Sequence, residues 1–143
     1  MTELGEAAAG TPVTVFDDAE QLGETLAREI LEGIERTPAG ERYLLGCPSG
    51  RSLRSTYGAL ARLVRPDADL SRLVIVMMDE YVVGEHGSFV RLAPGLTHTC
   101  AWFAEHEIRR PLSAAVPGGK GIPPEHVWLP DPVDPEAYDR RIA

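Results

Sequence analysis

The chain has 143 residues, of which 43% are hydrophobic, and its 22 acidic and 14 basic residues give a net charge of −8. This length and composition are typical of one folded domain with a normal core. The negative charge excludes a surface built to follow nucleic-acid phosphates or an anionic membrane, but it permits a small positive pocket. No apolar run approaches the roughly 18 residues that span a bilayer, and the amino terminus lacks the order of a signal peptide. We therefore predict a cytoplasmic protein with no membrane or nucleic-acid partner.

The first half of the chain is predicted to alternate strands and helices. Val13–Phe16 is a short β-branched and aromatic run that predicts a first strand. Asp17 or Asp18 can cap the following helix, where apolar residues recur at steps of three and four. Tyr43–Gly46 predicts a second strand, and a glycine-containing loop leads from it into a second helix.

A central strand and a fourth one are predicted in the second half. Leu73–Met78 is apolar on both faces, which is typical of a parallel strand covered by helices on both sides. A glycine-rich loop follows, and residues 97–110 predict a helix. His126–Leu129 is a fourth strand candidate, and Asp134 with Pro135 opens a last helix.

These elements predict an α/β fold, a three-layer αβα Rossmann-like parallel sheet. Residues 1–12 are predicted to be a flexible leader and residues 13–143 to be part of a single domain. The last helix reaches Ala143 before a further strand, so we expect the sheet to be incomplete at its carboxyl terminus. An exposed sheet edge favours self-association, and a homo-oligomer is therefore expected.

The loop after the second strand is the first candidate binding site. "GCPSGRS" offers backbone N–H groups, the hydroxyls of Ser49 and Ser52, and the positive end of a helix, a combination that suits a phosphate. It is not a Walker loop, because three residues separate its glycines and Arg51 stands where a lysine belongs. An ordinary strand-to-helix turn capped by Ser49 or Ser52 is the alternative.

The acids after the central strand form the second candidate site. Ligands of open α/β sheets bind beyond the carboxyl ends of the strands, so both loops are predicted to line one crevice. Asp79 directly follows the dry strand, where desolvation favours a base that works near neutral pH. A solvated strand end or a helix cap is the alternative for Asp79 and Glu80. Tyr81 is expected to be a half-buried packing residue.

Cysteine and histidine residues give no metal motif. Cys47 and Cys100 lack CxxC spacing and are predicted to be reduced thiols. His86, His98 and His106 show no HExxH pattern, and we predict no metal and no cofactor.

Two segments together resemble a known superfamily. "LLGCPSGRSLRSTYGAL", followed by "VIVMMDEYVVG", is similar to the glucosamine-6-phosphate deaminase and 6-phosphogluconolactonase superfamily of sugar-phosphate enzymes. "HTCAWFAEHEIRRPL" and "IPPEHVWLPDPVDPEAYDRRI" resemble later elements of the same proteins. The resemblance covers residues 13–142 and corresponds to their amino-terminal half.

The resemblance assigns roles to residues of the second loop. Asp79 matches the aspartate that moves a proton between C2 and C1 of the open-chain sugar in the deaminases. Tyr81 fits the deaminase-like wording MDEY, whereas lactonases more often have DER. Glu80 belongs to the motif and is given no chemical step, so Glu80 and Tyr81 are possible supporting residues.

The resemblance also implies a phosphate or hydroxyl site in the first loop. Ser49, Gly50 and Ser52 fall on the family's substrate-holding loop. Arg51 replaces a glycine and Leu53 a proline of the family pattern. Arg51 either clamps a phosphate as a fork of donors or narrows the pocket and changes the substrate.

The implied function is isomerisation or deamination of a hexose or amino-sugar 6-phosphate. Alternatives are a 6-phosphogluconolactonase-like hydrolase and a non-catalytic sugar-phosphate-binding module. The family's Asp-Gly-His segment, which assists ring opening, is absent from these 143 residues. The isolated chain is therefore expected to have little or no turnover.

Overall fold

The computed structural model describes residues 2–3, 12–93 and 95–143 of the chain. The strands are β1 (Thr2–Glu3), β2 (Thr14–Val15), β3 (Tyr43–Cys47), β4 (Leu73–Met77), β5 (Val82–Glu85), β6 (Ser88–Arg91) and β7 (Val127–Trp128). The helices are α1 (Ala19–Arg36), α2 (Arg54–Leu63), α3 (Cys100–Phe103), α4 (Arg110–Ala114) and α5 (Pro135–Ile142). A π-helical segment, Ala104–Arg109, joins α3 to α4, and the three form one continuous helix, the 100–114 helix.

A parallel sheet of order β3-β4-β7 lies at the centre of the fold. Tyr43 pairs with Leu73 and Cys47 with Met77, so β3 and β4 run side by side along their whole length. Every residue of β4 is buried, as the apolar run predicted for a strand covered on both faces. The predicted parallel α/β sheet is confirmed.

The side chains of β4 alternate between two apolar clusters. Leu73, Ile75 and Met77 face the main core, which α1, α2 and the 100–114 helix cover. Val74 and Val76 face a smaller cluster that contains Trp128 and is covered by Tyr138 of α5. The sheet therefore lies between two helical layers, which confirms the three-layer αβα architecture.

Both helix caps predicted from aspartate are confirmed. The Asp18 carboxylate accepts a hydrogen bond from the Gln21 N–H at 2.8 Å and begins α1. Asp134 accepts one from the Ala137 N–H at 2.9 Å and begins α5. These caps satisfy backbone donors that have no partner within the helix.

The strand predicted at Val13–Phe16 forms, but it does not join the parallel sheet. Only Thr14–Val15 is extended, and it pairs antiparallel with Thr2–Glu3. The rest of the predicted leader, residue 1 and residues 4–11, lies outside the described residues.

A hairpin replaces the loop predicted after the central strand. β5 and β6 pair antiparallel, with Glu85 opposite Ser88. His86 and Gly87 form the two-residue turn with φ angles of 48° and 81°. Two successive positive φ values match the twist of a two-residue hairpin turn. The sequence does not predict this turn, because its first position is a histidine rather than an asparagine, an aspartate or a glycine.

The predicted helix over residues 97–110 is observed as the 100–114 helix, so it begins later than predicted. It also ends later, because it continues past Pro111. A proline inside a helix has no N–H to donate, and its ring crowds the carbonyl four residues earlier. The widened π turn precedes it, and the Arg110 N–H donates to the Glu105 carbonyl, five residues back. The wider turn accommodates the proline within one helix. In the described part of the chain, no helix is long and apolar enough to cross a membrane.

Candidate functional site

The two predicted loops begin side by side at the carboxyl edge of the sheet. β3 and β4 end in register, and the Met78 N–H donates to the Cys47 carbonyl at 3.3 Å, which extends their pairing by one residue. The loop 47–52 and the acids that follow Met78 therefore start as neighbours. This is the edge at which open α/β sheets bind their ligands.

A buried thiol lies where these loops meet the 100–114 helix. The Cys100 thiol donates to the Ser49 hydroxyl, with 3.4 Å between sulfur and oxygen. Burial is the main cause that raises the pKa of Cys100, and the nearby Asp79 and Glu80 carboxylates raise it further. The thiol therefore stays protonated, and Cys100 connects the two loops, since its thiol contacts the serine loop and its N–H donates to the Glu80 carboxylate. Sequence reasoning considered Cys100 only as a reduced thiol and a candidate metal ligand, since nothing local to it marks this contact.

Asp79 itself is exposed to solvent, contrary to the desolvation expected after a dry strand. The chain leaves the core at Met78, whose own side chain is 69% exposed. The aspartate therefore points from the sheet edge toward solvent, where a bound ligand is free to reach it. Tyr81 is also exposed, at 54%, and its ring meets the His98 ring edge-on.

Glu80 is partly buried and accepts hydrogen bonds from three backbone N–H groups. Its Oε1 accepts from Tyr81 at 2.8 Å and from Cys100 at 2.9 Å, and its Oε2 accepts from Ala101 at 2.8 Å. Thr99 caps the same helix end by accepting from the Trp102 N–H at 3.1 Å. Glu80 therefore acts as a helix cap, as one of the two alternatives predicted, but the helix that it caps begins twenty residues later in the chain.

The loop 47–52 is more exposed to solvent than the capped start of the 100–114 helix. Gly50 adopts a φ of 98°, a region that favours glycine, and Arg51 and Ser52 are exposed. Leu53 is the N-cap residue of α2, and among the described residues no side chain makes a capping hydrogen bond there. The simple turn capped by Ser49 or Ser52 is therefore not what forms. The Arg54 N–H donates to the Arg51 carbonyl at 3.3 Å, and the next two N–H groups of α2 keep their capacity to bind a ligand.

A core residue, Tyr57 of α2, holds the start of the loop 47–52 in place. The Tyr57 hydroxyl donates to the Pro48 carbonyl at 2.9 Å. Cys47 is fully buried next to it, and burial raises the pKa of its thiol to about 12. Both cysteines are free thiols, as predicted, and the environment of Cys47 is that of a packing residue.

The histidines considered as metal ligands have other surroundings. His106 stacks on Trp102 with 4.2 Å between ring centroids, and its Nδ1 lies 2.9 Å from the Trp102 carbonyl oxygen. His98 contacts Tyr81, and His86 lies in the hairpin turn. Within residues 2–3, 12–93 and 95–143, no three His, Cys, Asp or Glu residues group as metal ligands.

A cavity and a groove lie at opposite edges of the sheet. The cavity, of about 380 Å³, lies beside the end of β4 and is lined by Met78, Pro135 and Tyr138, among others. The Tyr138 hydroxyl donates to the Met77 carbonyl at 2.6 Å and forms part of its wall. The groove, of about 580 Å³ and with Arg28 and Arg72 in its lining, lies at the amino-terminal edge of the sheet. The cavity of about 380 Å³ adjoins the loop that carries Asp79, because Met78 lines it.

Comparison with known proteins gives a structural likeness without a sequence match. No family model and no curated protein matches the chain. A solved structure described as a monomeric glucosamine-6-phosphate deaminase, a missing link of the NagB superfamily, has a similar fold. Its TM-score is 0.63 at 21% sequence identity, and the match covers 88% of this chain and 46% of that protein. The chain thus shares the fold of this deaminase and spans about half its length.

Proposed function

We propose that this chain supplies the phosphate loop and the proton-transferring aspartate of a sugar-phosphate isomerase or deaminase. The substrate class is a hexose or amino-sugar 6-phosphate. One observation carries the proposal: Cys100 contacts both loops, because its thiol donates to the Ser49 hydroxyl and its N–H donates to the Glu80 carboxylate, which supports a single site. The likeness in fold to a glucosamine-6-phosphate deaminase supports the same class of enzyme.

Asp79 is the proposed base. It takes a proton from C2 of the open-chain sugar and returns it to C1, while the proton on O2, or on N2 of an amino sugar, passes to O1 through an enediol or enolamine. The product is a 2-ketose or, from an amino sugar, a 2-imine that water hydrolyses to the 2-ketose and ammonia. A base suits this step when its carboxylate reaches the substrate directly. The exposed position of Asp79 provides that access, and a bound sugar would shield the carboxylate from water during the transfer.

The loop 47–52 is the proposed phosphate site. The uncapped start of α2 presents backbone donors and the positive end of a helix dipole. Arg51 is exposed next to them and supplies a planar fork of donors that matches a phosphate. These groups would give the loop a locally positive surface on a protein whose net charge is −8.

Isotope exchange at C2 tests the base directly. Fructose 6-phosphate and glucosamine 6-phosphate would be incubated in deuterated water with the 143-residue chain and with any longer product of its gene. Asp79→Asn is expected to lower the exchange rate by a factor of about 100 to 10,000, the usual range for losing a general base. Asp67→Asn is the matched control, because Asp67 is an exposed aspartate in the lining of the groove at the opposite edge of the sheet.

Three results separate the hypotheses. Exchange that survives in Asp79→Asn would exclude this aspartate as the base. Sugar-phosphate binding without exchange in any form of the protein would favour a non-catalytic binding module. Hydrolysis of 6-phosphogluconolactone without exchange would favour the lactonase alternative.

A further inference from the structure

We propose that Glu80 is a positioning residue that locks the Asp79 loop onto the first turn of the 100–114 helix. The inference rests on the proposed function for its catalytic consequence, and on the hydrogen bonds of Glu80 for its structural one. Glu80 touches neither substrate nor reacting atoms in this role. It acts through Asp79, its neighbour in the chain.

The three hydrogen bonds of Glu80 join both ends of one long connection. The Tyr81 N–H belongs to the first part of the connection, and the Cys100 and Ala101 N–H groups belong to the helix at its end. One carboxylate therefore ties together backbone segments that are about twenty residues apart. Hydrogen bonds to a charged acceptor are about twice as strong as neutral ones, so this tie is stronger than an ordinary turn.

The connection between these ends has little support of its own. Residues 81–89 are all exposed, and they include β5 and the hairpin turn. An isolated two-stranded hairpin is marginally stable in water. The hairpin is therefore a poor anchor for Asp79, and the Glu80 carboxylate provides the anchor at its base.

The Glu80 carboxylate also matches the field of the helix. The first N–H groups of a helix carry a partial positive charge that stabilises an adjacent anion. Glu80 occupies the first two donors and Thr99 the third. This helix end is filled by the protein's own acid, which directs an anionic substrate to the start of α2.

Amide hydrogen exchange followed by NMR tests the clamp without any substrate. In Glu80→Gln, the Cys100 and Ala101 amides are expected to exchange about tenfold to a hundredfold faster, as the loss of a charge-assisted hydrogen bond implies. The Trp102 amide should change less, because Thr99 still accepts from it. Thr99→Ala is the matched control and should show the opposite pattern. Glu85→Gln removes an exposed hairpin acid and should change none of the three.

Isotope exchange kinetics tests the positioning role. Glu80→Gln is expected to lower kcat about tenfold with little change in KM, whereas Thr99→Ala should keep the kcat of the unmodified protein. Should the glutamine variant fail to fold, Glu80→Asp keeps the charge but shortens the reach, and intermediate effects are expected.

The clamp is overturned if the Cys100 and Ala101 amides in Glu80→Gln exchange as slowly as in Glu85→Gln. The positioning role is overturned if Thr99→Ala loses as much kcat as Glu80→Gln. If neither the 143-residue chain nor any longer product of its gene shows isotope exchange, the proposed function and the positioning role both fail, while the amide data still decide the clamp.

Discussion

Two helices begin at the edge of the sheet that carries the candidate site, and their first turns differ in how the backbone donors are used. The 100–114 helix is closed, because Glu80 and Thr99 accept hydrogen bonds from its first N–H groups. α2 is more open, because its first N–H donates to the Arg51 carbonyl but no described side chain caps the helix. A helix start filled by a carboxylate repels an anionic ligand, whereas an uncapped one attracts it. The difference indicates which of the two ends is available to a phosphate.

Local charge reinforces this contrast. The first turn of α2 contains no acidic residue, and Arg51 is exposed just before it. The start of the 100–114 helix has Glu80 against it and Asp79 near the Cys100 thiol. The two ends thus have opposite polarity although both lie at the same edge of the sheet.

The largest expected effect concerns the charge network of the closed helix. Glu105 forms two hydrogen bonds of 2.6 Å with Arg109 and one of 2.8 Å with Arg110. Hydrogen bonds from Arg109, followed by those from Arg110, lower the pKa of Glu105 to about 2. Glu105→Gln is therefore expected to lower the free energy of unfolding at pH 7 by about 2 kcal/mol, measured by urea denaturation.

The pH dependence of this effect has a fixed sign. A carboxylate whose folded pKa lies below its ordinary value of 4.5 stabilises the protein fully above that pH and loses its contribution as the pH falls toward 2. The difference between Glu105→Gln and the unmodified protein should therefore shrink from pH 5 downward. Glu32→Gln is the matched control, since Glu32 and Arg36 have the same spacing but are both exposed. A loss in the control as large as that in Glu105→Gln would contradict the role of partial burial.

A smaller loss of unfolding free energy is expected from a change in the backbone of the loop 47–52. Gly50 has a φ of 98°, and a Cβ added there would meet no described atom within 4 Å. Gly50→Ala is therefore expected to cost about 1 to 2 kcal/mol through backbone strain alone. Gly46→Ala is the control, because Gly46 has equal space but lies in β3 without a positive φ. Equal losses of unfolding free energy in both variants would refute the strain argument.

The sequence predicted those features that depend on neighbouring residues. The caps at Asp18 and Asp134 need only a carboxylate three residues before an N–H group, and both are observed. The burial of β4 follows from its unbroken apolar run. Short-range chemistry of this kind is visible in a single sequence.

Features that depend on distant contacts were missed. Glu80 finds its donors in Cys100 and Ala101, and no local pattern pairs these positions. The hairpin was missed for a local reason, because its turn uses His86 where asparagine, aspartate or glycine usually marks a two-residue turn. The solvent exposure of Asp79 depends on where the chain leaves the core, which is a property of the folded sheet rather than of the acid itself.

The smallest expected effect comes from removing one hydroxyl at the start of each helix and comparing the losses of unfolding free energy. Thr99→Ala removes the acceptor for the Trp102 N–H and should cost about 1 kcal/mol of unfolding free energy, the usual value of an N-cap. Ser52→Ala removes a hydroxyl near the start of α2 and should change it by less than about 0.5 kcal/mol, because the serine is exposed and makes no capping bond in the described structure. Urea denaturation of both variants at one pH measures the pair. A loss in Ser52→Ala equal to that in Thr99→Ala would mean that α2 is capped in solution, and its first turn would then no longer be open to a phosphate.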